Sequence, residues 1–298
     1  MATHHRRHVL QAGVAAATRG LLGQTSSAGR LRLGIVIGVS SDPDAAIRRV
    51  KELGFTTCQV SPREIDAATA AKLRKALDQY GVEASAAIAG GPGPEIYNFY
   101  QGPQTIGLVP RATRAARIQR RKDVSNFAKQ AGIPALAGHC GFIPEDPNDP
   151  LYSEAVAAIR ECAAYCRDNG QKFNCETGQE TPVTLVRAIR DVGLDNVGVN
   201  FDVANLILYG KANPADAVEI LGPLVQGMHA KDGLYPTETK ALGNEVPIGQ
   251  GKVDFPTIIA KLKQIGYKYP ITIEREVRGP QQEADLRSAK TFLEKLIG

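Results

Sequence analysis

The chain has 298 residues, 43% of them hydrophobic and 22% charged, and no apolar run long enough to span a bilayer, so neither a membrane-spanning helix nor a stable membrane anchor is expected. The formal charge of +5 falls to +2 without the three arginines of residues 1–29, too little for a nucleic-acid footprint, and no nucleic-acid partner is expected. Cys58, Cys140, Cys162, Cys166 and Cys175 are odd in number and lack CxxC spacing, which argues for buried free thiols rather than a disulfide scaffold or zinc knuckle.

Residues 1–29 read as a segment of their own. His5-Arg6-Arg7-His8 precedes the small-residue stretch Ala12 to Gly23 and the polar Gln24 to Gly29. Positive, then weakly apolar, then small and polar is the order of an export signal, and the paired arginines resemble the twin-arginine type. Export would place the protein in the periplasm; a helical or disordered arm on a cytoplasmic protein is the alternative.

From residue 30 onward the pattern is one of repeated βα units around a parallel sheet. The expected strands are Leu31 to Val39, Thr56 to Ser61, Val82 to Ala89, Ile133 to His139, Lys172 to Glu176, Val197 to Asp202, Val225 to Ala230 and Ile271 to Glu274. Between them lie amphipathic helices at Asp44 to Leu53, Ala67 to Tyr80, Ala112 to Ala131, Ser153 to Asn169, Pro182 to Val192, Pro214 to Leu221, Phe255 to Ile265 and Gln281 to Ile297. Gly54, Gly81, Gly132, Gly170, Gly193 and Gly266 each stand just past a helix, where a left-handed cap suits glycine. Eight strands and eight helices in one domain, residues 30–298, make an α/β (β/α)8 TIM barrel. Two long connections, Gly90 to Arg111 and Gly233 to Val253, follow strand C-termini and read as substrate lids.

The chemistry sits at the ends of the later strands. Glu176, Asp202, His229 and Glu274 close expected strands five to eight, so in a barrel they converge on one rim. Three carboxylates within a few ångströms repel strongly, and a divalent cation is the natural compensation. Mixed carboxylate and imidazole ligation suits one Mn2+, with Co2+, Mg2+ or Zn2+ as alternatives, and the lack of thiolate ligands argues against a closed structural zinc site.

Around that cluster, His139 ends the fourth strand and is placed to meet a substrate hydroxyl or to orient Glu176. Lys231 and Asp232 extend past His229, as an oxyanion-stabilising pair or a plain salt bridge. Glu180 would hold a substrate hydroxyl or a neighbouring ligand, or serve only as helix N-terminal charge. Three other features carry less. Gly90 to Pro94 lacks the Gly-Lys-Ser/Thr of a phosphate loop, Gly249-Gln250-Gly251 is a turn former that lets backbone approach the substrate, and Arg114, Arg117, Arg120 and Arg121 read as a solvated helix face.

The segments Glu176 to Thr181, Asn200-Phe201-Asp202, His229 to Gly233 and Ile271 to Glu274 resemble the sugar isomerase/epimerase superfamily with the xylose-isomerase-like barrel, over essentially Leu33 to Ile297. The resemblance implies one divalent metal on Glu176, Asp202, His229 and Glu274, with Glu176 and Glu274 as acid/base pair for proton transfer next to a carbonyl through an enediolate. Nothing assigns which glutamate is the base. Ketose 3-epimerases of this superfamily carry a histidine three residues after the aspartate ligand and an arginine six after the histidine ligand. Here those positions are Asn205 and Tyr235, so substrate recognition is expected to differ, with Asn205 a candidate substrate contact.

The leading reading is an isomerase or epimerase of a small-molecule sugar. A 3-keto-glycoside lyase, using the same proton abstraction followed by loss of the C1 substituent, is the alternative that export favours. Endonuclease IV-like DNA repair is remote, because it needs several more histidines and only His139 and His229 lie in the barrel. The sequence leaves the subunit count open, a homo-oligomer included.

Overall fold

The alternating β-branched runs and amphipathic segments become, in the computed structural model of residues 31–298, eight parallel strands closed on themselves and an outer layer of helices. The chain runs β1 (Leu33–Val39), α1 (Pro43–Glu52), β2 (Thr57–Pro62), α2 (Ala67–Tyr80), β3 (Glu83–Ile88), α3 (Gly102–Thr105), α4 (Arg111–Ala131), β4 (Ala135–His139), α5 (Pro150–Asp168) and β5 (Lys172–Glu176). It continues through α6 (Pro182–Val192), β6 (Val197–Asp202), α7 (Val203–Leu208), α8 (Pro214–Leu221), β7 (Val225–Ala230), a small antiparallel pair β8 (Asp232–Gly233) and β9 (Glu245–Val246), α9 (Phe255–Gln264), β10 (Ile271–Ile273) and α10 (Pro280–Ile297). The barrel closes where β10 pairs with β1, Leu33 opposite Ile271. The (β/α)8 expectation therefore holds; the export-signal reading of residues 1–29 lies outside the described residues. No described helix is long and apolar enough to cross a membrane.

Local chemistry explains the helix boundaries. Asp42, Asp66, Asp149, Thr181 and Asp254 each accept a hydrogen bond from a first-turn amide of the helix that follows, and Pro occupies an early position in α1, α5, α6 and α9. The six glycines read as C-terminal stops all have positive φ. In α6, Leu185, Ile189 and Val192 recur at helical spacing and are buried against the barrel, each stabilising the fold by roughly 1.5–3 kcal/mol. Truncating Leu185 to Ala would remove about 2–5 kcal/mol.

The main core lies between strands and helices, and the five cysteines sit in it as buried free thiols. Inside the barrel the residues are smaller and more polar. Ala86, Ala135 and Ala137 form their own small cluster, and Gln59, Asn174, Asn200 and Thr272 are all buried.

Two expectations are corrected. The arginine cluster on α4 is not a solvated face, because Arg117 and Arg121 are fully buried. Arg117 donates to the carbonyls of Pro92, Pro94 and Gly107, Arg121 to that of His139, and Arg114 to those of Leu108 and Val109. The helix thus staples the long 90–111 connection onto the barrel mouth, using buried charge to satisfy loop carbonyls that have no ladder partner. Gly107 shows how close the approach is: at φ +72° an added Cβ would lie 2.3 Å from the Cys140 carbonyl carbon. The second correction is that Gly249 and Gly251 turn their amides toward the carboxylate of Asp232, not toward the substrate space.

Candidate metal centre and active-site cavity

Parallel register brings the four strand-end residues to one level. Asp202 lies opposite His229 in the β6–β7 ladder, His229 opposite Thr272 in the β7–β10 ladder, and the Glu274 amide donates to the carbonyl of Ala230 at 3.0 Å. Glu176 ends β5, two positions short of Asp202 in the staggered pairing with β6. The result is a cluster in which one ligand atom from each of Glu176, Asp202, His229 and Glu274 lies within 4.8 Å of the other three. His229 Nδ1 stands 3.2 Å from Glu176, 3.8 Å from Asp202 and 3.4 Å from Glu274.

The cluster fits a cation on its own chemistry. Ligand atoms about 2.1 Å from one ion are at most about 4.2 Å apart, so little closure is needed. His229 donates from Nε2 to Gln59 Oε1 at 2.9 Å, and Gln59 donates in turn to Asn200 Oδ1 at 3.0 Å. That chain places one proton on Nε2 and turns Nδ1 toward the carboxylates. Asp202 spends Oδ1 on the amide of Asn205 as the N-cap of α7. His229 Nδ1 and Asp202 Oδ2 are left buried without hydrogen-bond partners and aimed at the same point, the pattern of groups that await a cation.

Electrostatics agree. Burial alone would lower the His229 pKa, but Glu274 and Glu176 outweigh it and hold it well above the ordinary histidine value, a measure of how negative the potential is at Nδ1. Asp202, fully buried with Lys231 no nearer than 3.9 Å, is pushed up to about 6 by burial. Glu274 is burdened by burial yet held well below the usual carboxylate range by Lys231 and His229.

Above the cluster opens a cavity of ≈ 150 Å³. Glu176 and Glu274 form its floor with His139 and Lys231; Asn205, Leu208 and Tyr209 come from α7 and the residue after it. The two long connections roof it, with Gly90, Glu95 and Tyr97 from one and Leu242 from the other. Their backbones meet where the Phe99 amide donates to the Lys240 carbonyl at 3.2 Å. His139 accepts from Gln179 Nε2 at Nδ1, which leaves its Nε2–H facing Glu176 Oε1 3.9 Å away and the cavity beyond.

The remaining expected site residues divide. Asn205 and Lys231 line the cavity, whereas Glu180 and Asp232 do not. Asp232 is not the partner of Lys231: its two oxygens accept from the amides of Gly233, Gly249, Gly251 and Val253. An added Cβ at Gly251 would sit 2.0 Å from that carboxylate, so glycine is required there. Lys231 is neutralised instead by Glu274 at 3.2 Å and Glu276 at 3.1 Å. Glu180 is buried with neither oxygen hydrogen-bonded, and burial pushes its pKa up to about 8.

Gln59, Tyr97, Tyr209 and Glu276 escaped the sequence reading. For Gln59 a signal existed, a lone amide inside the apolar run Cys58-Gln59-Val60, but only the closed barrel shows that it meets a histidine 170 positions away.

Fold and site together define a TIM-barrel protein with a buried cluster of three carboxylates and an imidazole, a donor set that could hold a metal ion, at the C-terminal mouth. The chain belongs to the xylose isomerase-like TIM barrel family, whose model matches residues 47–296. A solved xylose isomerase domain protein from Planctomyces limnophilus is 35% identical, superposes with a TM-score of 0.82, and the alignment covers 89% of this chain and 97% of that one. The uncharacterized protein MJ1311 of Methanocaldococcus jannaschii is 31% identical over 182 residues, 55% of this chain and 58% of that protein, so the match spans little more than half of that relative. The L-ribulose-5-phosphate 3-epimerase UlaE of Salmonella paratyphi C is 27% identical over 247 residues, 76% of this chain and 80% of that enzyme.

Proposed function

We propose that the chain is a divalent-metal-dependent sugar epimerase or isomerase that moves a proton at the carbon next to a carbonyl. The reading is carried by one observation: Glu176, Asp202, His229 and Glu274 converge within 4.8 Å with His229 Nδ1 and Asp202 Oδ2 unpartnered, at the floor of a cavity. Kinship with a sugar 3-epimerase supports it. Glu176, Asp202, His229 and Glu274 would hold the ion, Mn2+ by preference, with Co2+, Mg2+ or Zn2+ also fitting the donor set. Such an ion supplies Lewis-acid polarisation of a carbonyl oxygen and neutralises the clustered carboxylates.

The residues of the chain do the rest. Glu176 at the end of β5 and Glu274 after β10 line the cavity from rim positions separated by β6 and β7, so one takes the α-proton and the other returns a proton to the enediolate. Lys231, bonded to Glu274 Oε2 at 3.2 Å, holds that carboxylate in place and lowers its charge cost. His139, Asn205 and the hydroxyls of Tyr97 and Tyr209 offer donors and acceptors for sugar hydroxyls. The lids keep bulk water from the exposed carbanion-like intermediate.

The test is solvent-deuterium incorporation at the α-carbon of free ketoses by the Mn2+-loaded protein, followed by NMR. Epimer or isomer formation with label is the expected result. Release of aglycone from a 3-keto-glucoside, with no ketose exchange, would move the protein to the lyase class.

A further inference from the structure

We propose that this site accepts an uncharged sugar and rejects sugar phosphates, a statement of substrate class that rests on the reading of the site as an epimerase or isomerase. A phosphate needs free cations or free backbone amides. Around this cavity the nearby Lys and Arg side chains and the amides of the loop after the seventh barrel strand already have internal partners.

The lining carries Glu95, Glu176, Glu274 and Glu276 against a single Lys or Arg, Lys231. That ammonium lies 3.2 Å from Glu274, 3.1 Å from Glu276 and 3.9 Å from Asp202, so its donors face carboxylates on three sides. Arg117, under the 90–111 lid, is spent on three carbonyls, and Arg275, beside Glu274, is locked to Glu245 and Asp285, each at 2.7 Å.

The amides tell the same story. Loops after strands seven and eight are where barrels commonly cradle phosphate. Here the amides of Gly233, Gly249, Gly251 and Val253 do form an anion nest after the seventh barrel strand, and the carboxylate of Asp232 fills it. At the other lid the Gly91 amide points to Glu95 at 3.3 Å. What is left unspent is the buried hydroxyl of Tyr209, which has no partner, the side chain of Asn205, and the Nε2 edge of His139. Those groups match hydroxyls, and a phosphate at the mouth would instead meet Glu95 and Glu276.

Matched pairs decide it: D-fructose with D-fructose 6-phosphate, and D-ribulose with D-ribulose 5-phosphate, assayed with the Mn2+-loaded full chain by α-deuterium exchange. The free member is expected to exceed its ester in kcat/KM by about a hundredfold or more, the scale of like-charge rejection. Glu276→Gln is expected to narrow that ratio about tenfold by removing one exposed repelling charge. Equal or better turnover of an ester overturns the proposal and leaves the epimerase reading standing. If neither member of either pair exchanges, the epimerase reading falls, and calorimetric titration with the same pairs still decides the charge claim: tighter binding of the ester overturns it, tighter binding of the free sugar supports it.

Discussion

Gln59 Oε1 accepts the Nε2 proton of His229 at 2.9 Å, across 170 residues of sequence and the width of the barrel. The amide of Gln59 cannot turn over without cost, because its Nε2 is committed to Asn200 Oδ1. The imidazole is therefore held with Nδ1 turned toward the carboxylates. Gln59→Leu should lower Mn2+ affinity about 10- to 100-fold, the usual cost of losing a ligand's supporting hydrogen bond, with the circular dichroism spectrum unchanged. Isothermal titration calorimetry reads the affinity; unchanged binding would show that His229 is oriented by packing alone.

Glu274→Gln keeps the shape of the side chain and removes its charge and proton-accepting capacity. Turnover should fall by about 10²–10⁴ while the thermal midpoint stays close to that of the parent protein. Near-normal kcat would remove Glu274 from the acid/base pair.

Chelation should abolish activity, since the four residues without a cation supply no Lewis-acid polarisation of a substrate carbonyl. Adding back Mn2+ or Co2+ should restore it. Activity indifferent to a chelator, with metal removal verified by elemental analysis, would contradict the proposed chemistry.

Asp232 accepts four backbone hydrogen bonds at 2.8–3.1 Å and is the anchor of the 233–253 lid. Charge-assisted bonds of this kind are worth about 1.5–3 kcal/mol each and do not add in full, so Asp232→Ala should destabilise the protein by about 3 kcal/mol or more. Limited proteolysis should then cut between residues 233 and 253 first. A lid as protease-resistant as before would mean that the amides find other partners.

Glu180 gives a pH signature. Burial raises its folded pKa to about 8, above an unfolded value of about 4.3, so between these limits the folded protein keeps a proton that the unfolded chain has lost. Its contribution to stability therefore declines as pH rises from about 4.3 through about 8 and is level beyond. Glu180→Gln should be the more stable protein at neutral and alkaline pH, by an amount that grows across that window. Denaturation midpoints measured from pH 5 to pH 9 for both proteins should diverge with rising pH; parallel curves would show that Glu180 is ionised and solvated or paired.

Much of the site was legible because it is written at strand ends. In Phe173 to Glu176 and in Asn200 to Asp202 an apolar run stops on an acid, and a barrel topology carries every such stop to the same rim. Arg117 misled because its helix shows polar residues at exposed spacing; burial of a guanidinium is rewarded only when loop carbonyls from residues 92, 94 and 107 fold over it. Asp232 misled in the same way, since next to Lys231 it looks like a salt-bridge partner, yet the two side chains go to different partners, Lys231 to Glu274 and Asp232 to the lid amides.

Local periodicity, glycine stops and strand-terminal acids belong to the chain itself, and from them the sequence determined the eight-fold βα alternation and the identity of the four converging residues. Tertiary structure decided which atoms of those residues stay bare, because that depends on partners tens to hundreds of positions away: Gln59 for His229, the Asn205 amide for Asp202, and Lys231 for Glu274. Barrel closure sets those pairings through strand register, a quantity summed around the whole ring that no single segment encodes.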